Sequence, residues 1–214
     1  MIIKKYPLGP LAANCYFLIE ENDLILIDPG DEASFIMEEI QRQKLNLKAI
    51  LATHGHFDHI GAVGEIQLSF DVSFYISKKD FFLVKRLNEN AQYFLGYNPY
   101  FLPPKNIKEL NNKNKTFHFS RLTFNVIPTS GHTPGSICFY FEKEKIIFTG
   151  DTLFKDGIGR TDFSYSNKKE LFQSLKKILT LPTDTIVYPG HGKETTIENE
   201  INQIKNYKNF YKIL

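Results

Sequence analysis

The sequence predicts one domain of the α+β class over residues 1–214. Two observations predict it: strands alternate with amphipathic helices in the first third of the chain, and a run of strands begins near residue 116. A chain of 214 residues is long enough for one well-buried domain and short for two. The apolar content of 42% and the charged content of 23% are typical of a globular protein.

The sequence pattern of the first third of the chain predicts strands separated by helices. Residues 1–30 alternate short apolar runs with turn signals, which indicates a meander of short strands. Residues 33–45 carry apolar side chains near helical spacing and predict an amphipathic helix. A buried strand at 49–52, a helix at 60–70 and a strand at 72–76 follow. This alternation favours parallel strands joined by crossover helices.

The rest of the chain begins with a less regular part. Residues 78–114 allow a helix near 80–88, and beyond it either a packed connection or a loop that covers the substrate. The elements predicted after it are strands at 117–119, 122–127, 137–141 and 146–148, an amphipathic helix at 168–181 and a strand at 185–188. Thr195 and Glu198 form a predicted capping box for a last helix that extends to about residue 211.

The charge balance excludes several classes of partner. The formal net charge is +2, from 26 basic and 24 acidic residues spread along the chain, so we expect no nucleic-acid partner. No apolar run approaches membrane-spanning length or the pattern of a signal peptide, so we expect no membrane partner and a cytoplasmic location. Cys15 and Cys138 lie among apolar neighbours and are predicted to be buried thiols.

A cluster of potential metal ligands directly follows the strand at 49–52. His54, His56, Asp58 and His59 lie within six positions, and imidazole and carboxylate groups suit zinc and its first-row neighbours. Alternate spacing lets the first two histidines point to one side of an extended segment. The other two ligands can face a second point once the chain has turned. One ion cannot use all four ligands from so short a span, so the spacing indicates two metals.

Three further candidates each follow an apolar strand and a glycine. They are His132, Asp151 and His191, and the glycine lets the backbone turn sharply and leaves room for an ion. The predicted set is His54, His56 and His132 around one ion, Asp58, His59 and His191 around the other, and Asp151 between them. Two ions so held would lie about 3.5–4 Å apart.

Two other polar residues have less certain roles. Asp28 ends a predicted strand directly before Pro29 and Gly30, so it is either a turn residue or a support for a metal ligand. His118 alternates with two phenylalanines and is predicted to be a surface or packing residue outside the metal site.

The order and spacing of these ligands resemble the metallo-β-lactamase superfamily of hydrolases. The segments 150–154 (GDTLF) and 189–192 (PGHG) are similar to its glyoxalase II-like branch. Residues 159–163 (GRTDF) resemble that branch's short bacterial members and the persulfide dioxygenases. The resemblance implies an αβ/βα sandwich of two mixed β-sheets flanked by helices, with the metals at one edge.

The resemblance also implies an activity. It predicts a binuclear metal-dependent hydrolase of thioesters, similar to hydroxyacylglutathione hydrolase, in which a metal-bridging hydroxide attacks the acyl carbonyl and Asp58 orients that nucleophile. Zinc is the expected metal, and iron and manganese suit the same ligands. Arg160 matches the family's basic position, so it either holds a substrate carboxylate or pairs with Asp162. The chain is similar to a short form without the C-terminal helical domain of glyoxalase II.

The same residues also allow other functions. A persulfide dioxygenase would use one iron held by two histidines and a carboxylate, and a related hydrolase would act on a lactone or another ester. A nuclease of the same superfamily would need a basic face, which the charge balance does not offer. A non-catalytic zinc-stabilised module would favour cysteine ligands in a closed site.

Overall fold

The computed structural model describes residues 1–110, 116–119 and 121–206. Over these ranges the chain forms two six-stranded sheets that pack face to face, with helices on their outer faces. Each sheet contains both parallel and antiparallel pairs. The predicted α+β sandwich of two mixed sheets is therefore confirmed.

The first sheet is built from the first half of the chain. Its strands, in chain order and in sheet order, are β1 (Ile2–Leu8), β2 (Ala13–Glu20), β3 (Asp23–Ile27), β4 (Asn46–Leu51), β5 (Phe74–Ile76) and β6 (Ile107–Glu109). The helices are α1 (Ala33–Arg42), α2 (Phe57–Ile60), α3 (Val63–Ser69), α4 (Phe81–Lys85) and α5 (Leu87–Leu95), with a 3₁₀ turn at Lys78–Asp80. Strands β3, β4, β5 and β6 are parallel, as the strand–helix alternation predicts.

The second sheet is built from the second half. It contains β7 (Thr116–Phe119), β8 (Leu122–Pro128), β9 (Ile137–Phe141), β10 (Ile146–Gly150), β13 (Ile186–Pro189) and β14 (Thr195–Thr196). A two-stranded hairpin, β11 (Leu153–Phe154) and β12 (Gly157–Ile158), and the helices α6 (Lys168–Ile178) and α7 (Ile197–Asn206) complete the described elements. Because β9 is antiparallel to both β8 and β10, and β10 is parallel to β13, the carboxyl ends of β8, β10 and β13 lie at one edge.

Strand β2 contributes side chains to the core on each side of the first sheet. It is buried on both faces, and alternate side chains of a strand point to opposite sides. Tyr16 and Leu18 join the core between the sheets, where the Tyr16 ring lies 4.9 Å from that of Phe148. Phe17 points the other way and packs in the layer that α1 covers.

The structure corrects two sequence predictions about helices. The helix predicted at 60–70 is shorter, because α3 spans Val63–Ser69 and a separate short helix, α2 (Phe57–Ile60), precedes it. The predicted Thr195 cap is also wrong, because Thr196 accepts the bond from Asn199 N (3.2 Å) while Thr195 pairs with Val187 in the sheet. The predicted end of that helix near residue 211 lies outside the described residues.

Residues 78–114 are more regular than the sequence suggests. Helices α4 and α5 occupy most of 81–95. The extended residues after them cross α3 closely, since a Cβ atom on Gly64 would lie 2.0 Å from the carbonyl oxygen of Leu102. The described part of the segment therefore packs on α3 and, through α5, also reaches the site described below.

The two cysteines and His118 have the burial that the sequence predicts. Cys15 and Cys138 are buried free thiols, and His118 is exposed, as predicted. None of the helices in the described ranges has the length and apolar character needed to cross a membrane.

Candidate metal centre

The fold brings the seven predicted ligands to one edge of the sandwich. They follow strand ends: His54 and His56 lie after β4, Asp58 and His59 lie on α2, His132 follows β8, Asp151 follows β10 and His191 follows β13. Gly150 has a φ of +49°, so the chain turns directly after β10 and directs Asp151 inward. The short helix α2 starts at Phe57 and turns its two ligands toward a second point.

Three histidines form a first trio: His54, His56 and His132. Nδ1 of His56 lies 3.0 Å from Nε2 of His54 and 3.0 Å from Nε2 of His132. All three residues are buried. Three ring nitrogens thus converge on one point from two separate loops.

Asp58, His59 and His191 form a second trio beside the first. Oδ2 of Asp58 lies 3.3 Å from Nε2 of His191 and 3.8 Å from Nε2 of His59. Asp151 lies between the trios, with Oδ1 3.4 Å from Nε2 of His59 and Oδ2 3.5 Å from Nε2 of His132. One carboxylate therefore faces both trios.

The outer ring nitrogens of four histidines indicate where their protons lie. Each outer Nδ1 faces an acceptor: Thr53 Oγ1 for His54 (3.1 Å), Asp28 Oδ2 for His59 (3.0 Å), the carbonyl of Arg160 for His132 (2.9 Å) and the carbonyl of Leu11 for His191 (3.1 Å). The Thr53 hydroxyl donates its own proton to Asp28, so it accepts from His54. With Nδ1 protonated and the ring neutral, as metal binding requires, Nε2 directs its lone pair into the cluster.

These lone pairs and carboxylates fit cations. Nitrogens on a tetrahedron with bonds of about 2.0–2.1 Å lie about 3.3 Å apart, close to the separations of 3.0–3.8 Å described above. Nε2 of His59 and Oδ1 of Asp151 are buried and have no hydrogen-bond partner among the described residues. Both are lone-pair atoms that an ion would satisfy.

The electrostatics of the cluster lead to the same conclusion. Burial lowers the pKa of His56 to about 3 and holds the pKa of His54 well below its usual value, so those rings are neutral. Burial also opposes a charge on His59, but Asp58, Asp151 and Asp28 raise its pKa well above the usual value. The buried carboxylates thus require positive charge nearby, and bound cations would supply it.

Asp28 supports a ligand as well as ending a strand. Its carboxylate accepts from Thr53 N and Thr53 Oγ1, both at 2.7 Å, and from Nδ1 of His59. It therefore fixes the start of the His54 loop and the orientation of the His59 ring. Asp28 therefore has both roles left open from the sequence: its φ of +53° turns the chain after β3, and its carboxylate supports the His59 ring.

Asp80 is a supporting residue that the sequence does not reveal. It is fully buried in the 3₁₀ turn after β5 and accepts three hydrogen bonds. The donors are Gly55 N (2.9 Å), Thr133 Oγ1 (2.7 Å) and Gly135 N (2.7 Å). Because Gly55 lies between the two histidines of one loop and Thr133 follows His132, Asp80 joins the two loops that carry the first trio.

A cavity of about 280 Å³ opens over the cluster. Its lining includes His56, Asp58, His132, Asp151 and His191 from the two trios and their shared carboxylate. Tyr165, which the sequence gave no reason to select, also lines it and lies with its hydroxyl 2.8 Å from Nε2 of His56. Arg160 lies at the same cavity, with its guanidinium bound to both carboxylate oxygens of Asp162 at 2.6 Å.

Gly190 gives a test of how tightly the cluster is packed. A Cβ atom there would lie 2.2 Å from Oδ1 of Asp151 and 2.7 Å from Cε1 of His59. We expect Gly190→Ala to weaken metal binding about 10–100-fold, since displaced neighbours of a metal site have effects of that size. Competition with a chromophoric chelator measures it. Gly157→Ala is the control, because its Cβ atom would meet nothing nearer than 4.0 Å; equal affinities in the two variants would contradict the prediction.

Comparison with known families adds the decisive observation. A sequence model described as the Metallo-beta-lactamase superfamily matches residues 8–191, a range that contains all seven residues of the cluster. The chain belongs to the metallo-β-lactamase superfamily. This superfamily is one of metal-binding hydrolases, in agreement with the cluster.

Superfamily members similar to this chain include a named enzyme and two solved structures. Hydroxyacylglutathione hydrolase GloC of Haemophilus influenzae is 39% identical over 204 residues, which cover 94% of this chain and 95% of that protein. The BLEG-1 B3 metallo-beta-lactamase has a TM-score of 0.87 at 36% identity, covering 94% of this chain and 97% of that one. TTHA1623, solved in a di-iron-bound form, has a TM-score of 0.85 at 36% identity, covering 94% and 98%.

Proposed function

We propose that this protein is a binuclear metal-dependent hydrolase of thioesters, of the hydroxyacylglutathione hydrolase type. The observation that carries the proposal is the pair of trios that share Asp151. The seven residues that would hold the ions are His54, His56, Asp58, His59, His132, Asp151 and His191. Zinc is the first candidate, and iron and manganese accept the same donors. The name of the GloC relative supports the substrate class, and TTHA1623 supports two ions.

The residues around the ions have separate tasks. Divalent cations held there would polarise a substrate carbonyl and lower the pKa of water from 15.7 to about 7. Asp58 has a side chain that is 14% exposed and lines the cavity, so it can accept a hydrogen bond from the attacking water and orient it. Asp28 and Asp80 hold the ligand-bearing loops in place. Phe57 and Phe94 line the cavity on one side.

The lack of a free histidine among the described cavity lining favours a thioester substrate. Each histidine among the described lining residues belongs to one of the trios, so none is left to protonate a leaving group. A thiolate leaves readily without a proton, because the pKa of its thiol is about 8.5. An alkoxide from an ester or lactone has a greater need for an acid, and we place those substrates second.

Metal content and turnover on one sample test this proposal. We expect about two ions per chain, hydrolysis of lactoylglutathione or of other thioesters in a panel, and loss of that activity with a chelator. One iron per chain with oxygen uptake on glutathione persulfide would instead identify a persulfide dioxygenase and overturn the proposal. Hydrolysis of lactones alone would leave a metal-dependent hydrolase and reject the thioester assignment.

Two parts of the proposal rest on the sequence. Arg160 lines the cavity and would need to exchange Asp162 for a substrate carboxylate in order to bind it. The cytoplasmic location also stays a prediction.

A further inference from the structure

We infer that four aromatic residues beside the metal cluster bind a ring-sized apolar group of the substrate, next to the bond that is cleaved. We call these residues the aromatic wall: Phe57, Phe94, Phe163 and Tyr165. The inference rests on the proposed function and deepens it, because it names the chemical class of the group that the acyl part or the thiol part must carry.

The aromatic wall runs from the first trio to the protein surface. The Phe163 ring lies 5.1 Å from the ring of His56, and Tyr165 stacks on Phe163 at 5.3 Å with an interplanar angle of 17°. Phe94 contacts Phe163 edge-on at 5.9 Å and Phe57 in a stacked arrangement at 6.0 Å. A planar substrate group can therefore contact ring faces and edges along the whole path from a metal ligand to solvent.

The outer end of the wall is open to solvent. Phe94 is 43% exposed at the end of α5, whereas Phe57, nearer the ligands, is buried. Apolar rings that face a cavity with a few polar groups at its base are typical of small-molecule sites. The polar groups at this base are the two trios.

The charged side chains at the cavity disfavour recognition of the substrate through an anionic group. Among the described lining residues Arg160 is the only lysine or arginine. Its guanidinium is bound to both oxygens of Asp162 and lies 4.6 Å from the centre of the Phe163 ring. A carboxylate on the substrate must compete with Asp162 for this group, whereas an apolar ring meets no such competitor.

The wall is also fixed relative to the reacting centre. Phe57 lies between two ligands, His56 and Asp58, at the start of α2. Tyr165 is joined to His56 through its hydroxyl, and Ser166 donates to the carbonyl oxygen of His132 at 2.6 Å. A group held on the wall is therefore held at a defined distance from the metal ligands, as catalysis by positioning requires.

Three thioesters test the inference on the metal-loaded enzyme. Acetyl-N-acetylcysteamine carries no ring, phenylacetyl-N-acetylcysteamine carries one on the acyl side, and S-benzyl thioacetate carries one on the thiol side. We expect kcat/KM for at least one of the ring-bearing substrates to exceed that for the first by about tenfold or more, the effect of burying much of a phenyl ring. Equal values for all three would overturn the inference.

A matched pair of variants tests whether the preference for a ring-bearing substrate comes from the aromatic wall. Phe94→Ala removes a ring of the wall, and we expect it to reduce the preference for the ring-bearing substrate about fivefold or more. Tyr97→Ala is the control, because Tyr97 is an aromatic residue just after α5 that is 53% exposed and not part of the described cavity lining. It should leave the preference unchanged. A preference that both variants reduce equally, or that neither reduces, would overturn the role of the wall.

A binding measurement separates this inference from the proposed function. If the protein holds two ions and hydrolyses none of the thioesters, the proposed function fails. Calorimetric titration of the same sample with phenylacetate and with acetate then decides the inference alone. Tighter binding of phenylacetate that Phe94→Ala weakens would support the wall, and equal binding of both acids would overturn it.

Discussion

Asp151→Asn is expected to abolish turnover, with a fall in kcat of about 10³-fold or more, equivalent to at least about 4 kcal/mol. The two oxygens of Asp151 face different trios, Oδ1 toward His59 and Oδ2 toward His132. An amide keeps the shape but loses the charge and one of the two acceptor atoms. We therefore expect the variant to fold and to bind fewer than two ions per chain, measured by elemental analysis beside steady-state kinetics.

Asp184→Asn is the matched control for this experiment. Asp184 is exposed and pairs with Lys145 at the surface, away from the cluster. It should keep the wild-type metal content and kcat. An Asp151→Asn protein that retained two ions and turned over at the wild-type rate would show that this carboxylate does not join the two trios.

Asp80→Asn is expected to weaken metal binding about 10–100-fold without touching a ligand. The carboxylate accepts from Gly55 N, Gly135 N and Thr133 Oγ1, and an amide in its place must turn its NH₂ group toward one of the two backbone N–H groups. A buried donor left without an acceptor costs about 1–3 kcal/mol. The unfolding free energy of the metal-free protein should fall by about that amount.

The measurement combines chelator competition with denaturant unfolding. If Asp80 acts only on stability, the folded variant will bind both ions with wild-type affinity, and the proposed link to the first trio is then rejected. If it positions the loops, affinity falls even at denaturant concentrations where the variant is fully folded. Asp184→Asn again provides the surface control.

The meeting of the seven candidate ligands at one edge could be predicted from the sequence because its signals are local. The first four ligands lie within six positions after a strand, and each of the other three follows a strand and a glycine. Parallel strands end at the same edge of a sheet, so the positions of the ligands along the chain also predict their meeting in space. The family resemblance then indicates the sandwich that the structure confirms.

The residues that support the cluster could not be predicted in this way. Asp80 bonds to groups 25, 53 and 55 residues away, and Tyr165 contacts a histidine 109 residues away. In the sequence Asp80 follows two lysines and looks like a surface residue. Only the folded chain shows that two backbone N–H groups and a hydroxyl converge on it. Phe94 is similarly hidden, because its exposure depends on how α5 lies against the cavity.

The position of His191 makes the second trio depend on two distant parts of the chain. Its neighbour Gly190 accepts a bond from Asn14 N (2.7 Å), and His191 itself bridges to Ala13, so the last ligand is attached to a hairpin made from the beginning of the chain. The first trio is complete at residue 132, whereas the second trio also requires residue 191. A chain that ends before residue 191 therefore lacks one member of the second trio and the backbone contacts that join this member to the N-terminal hairpin.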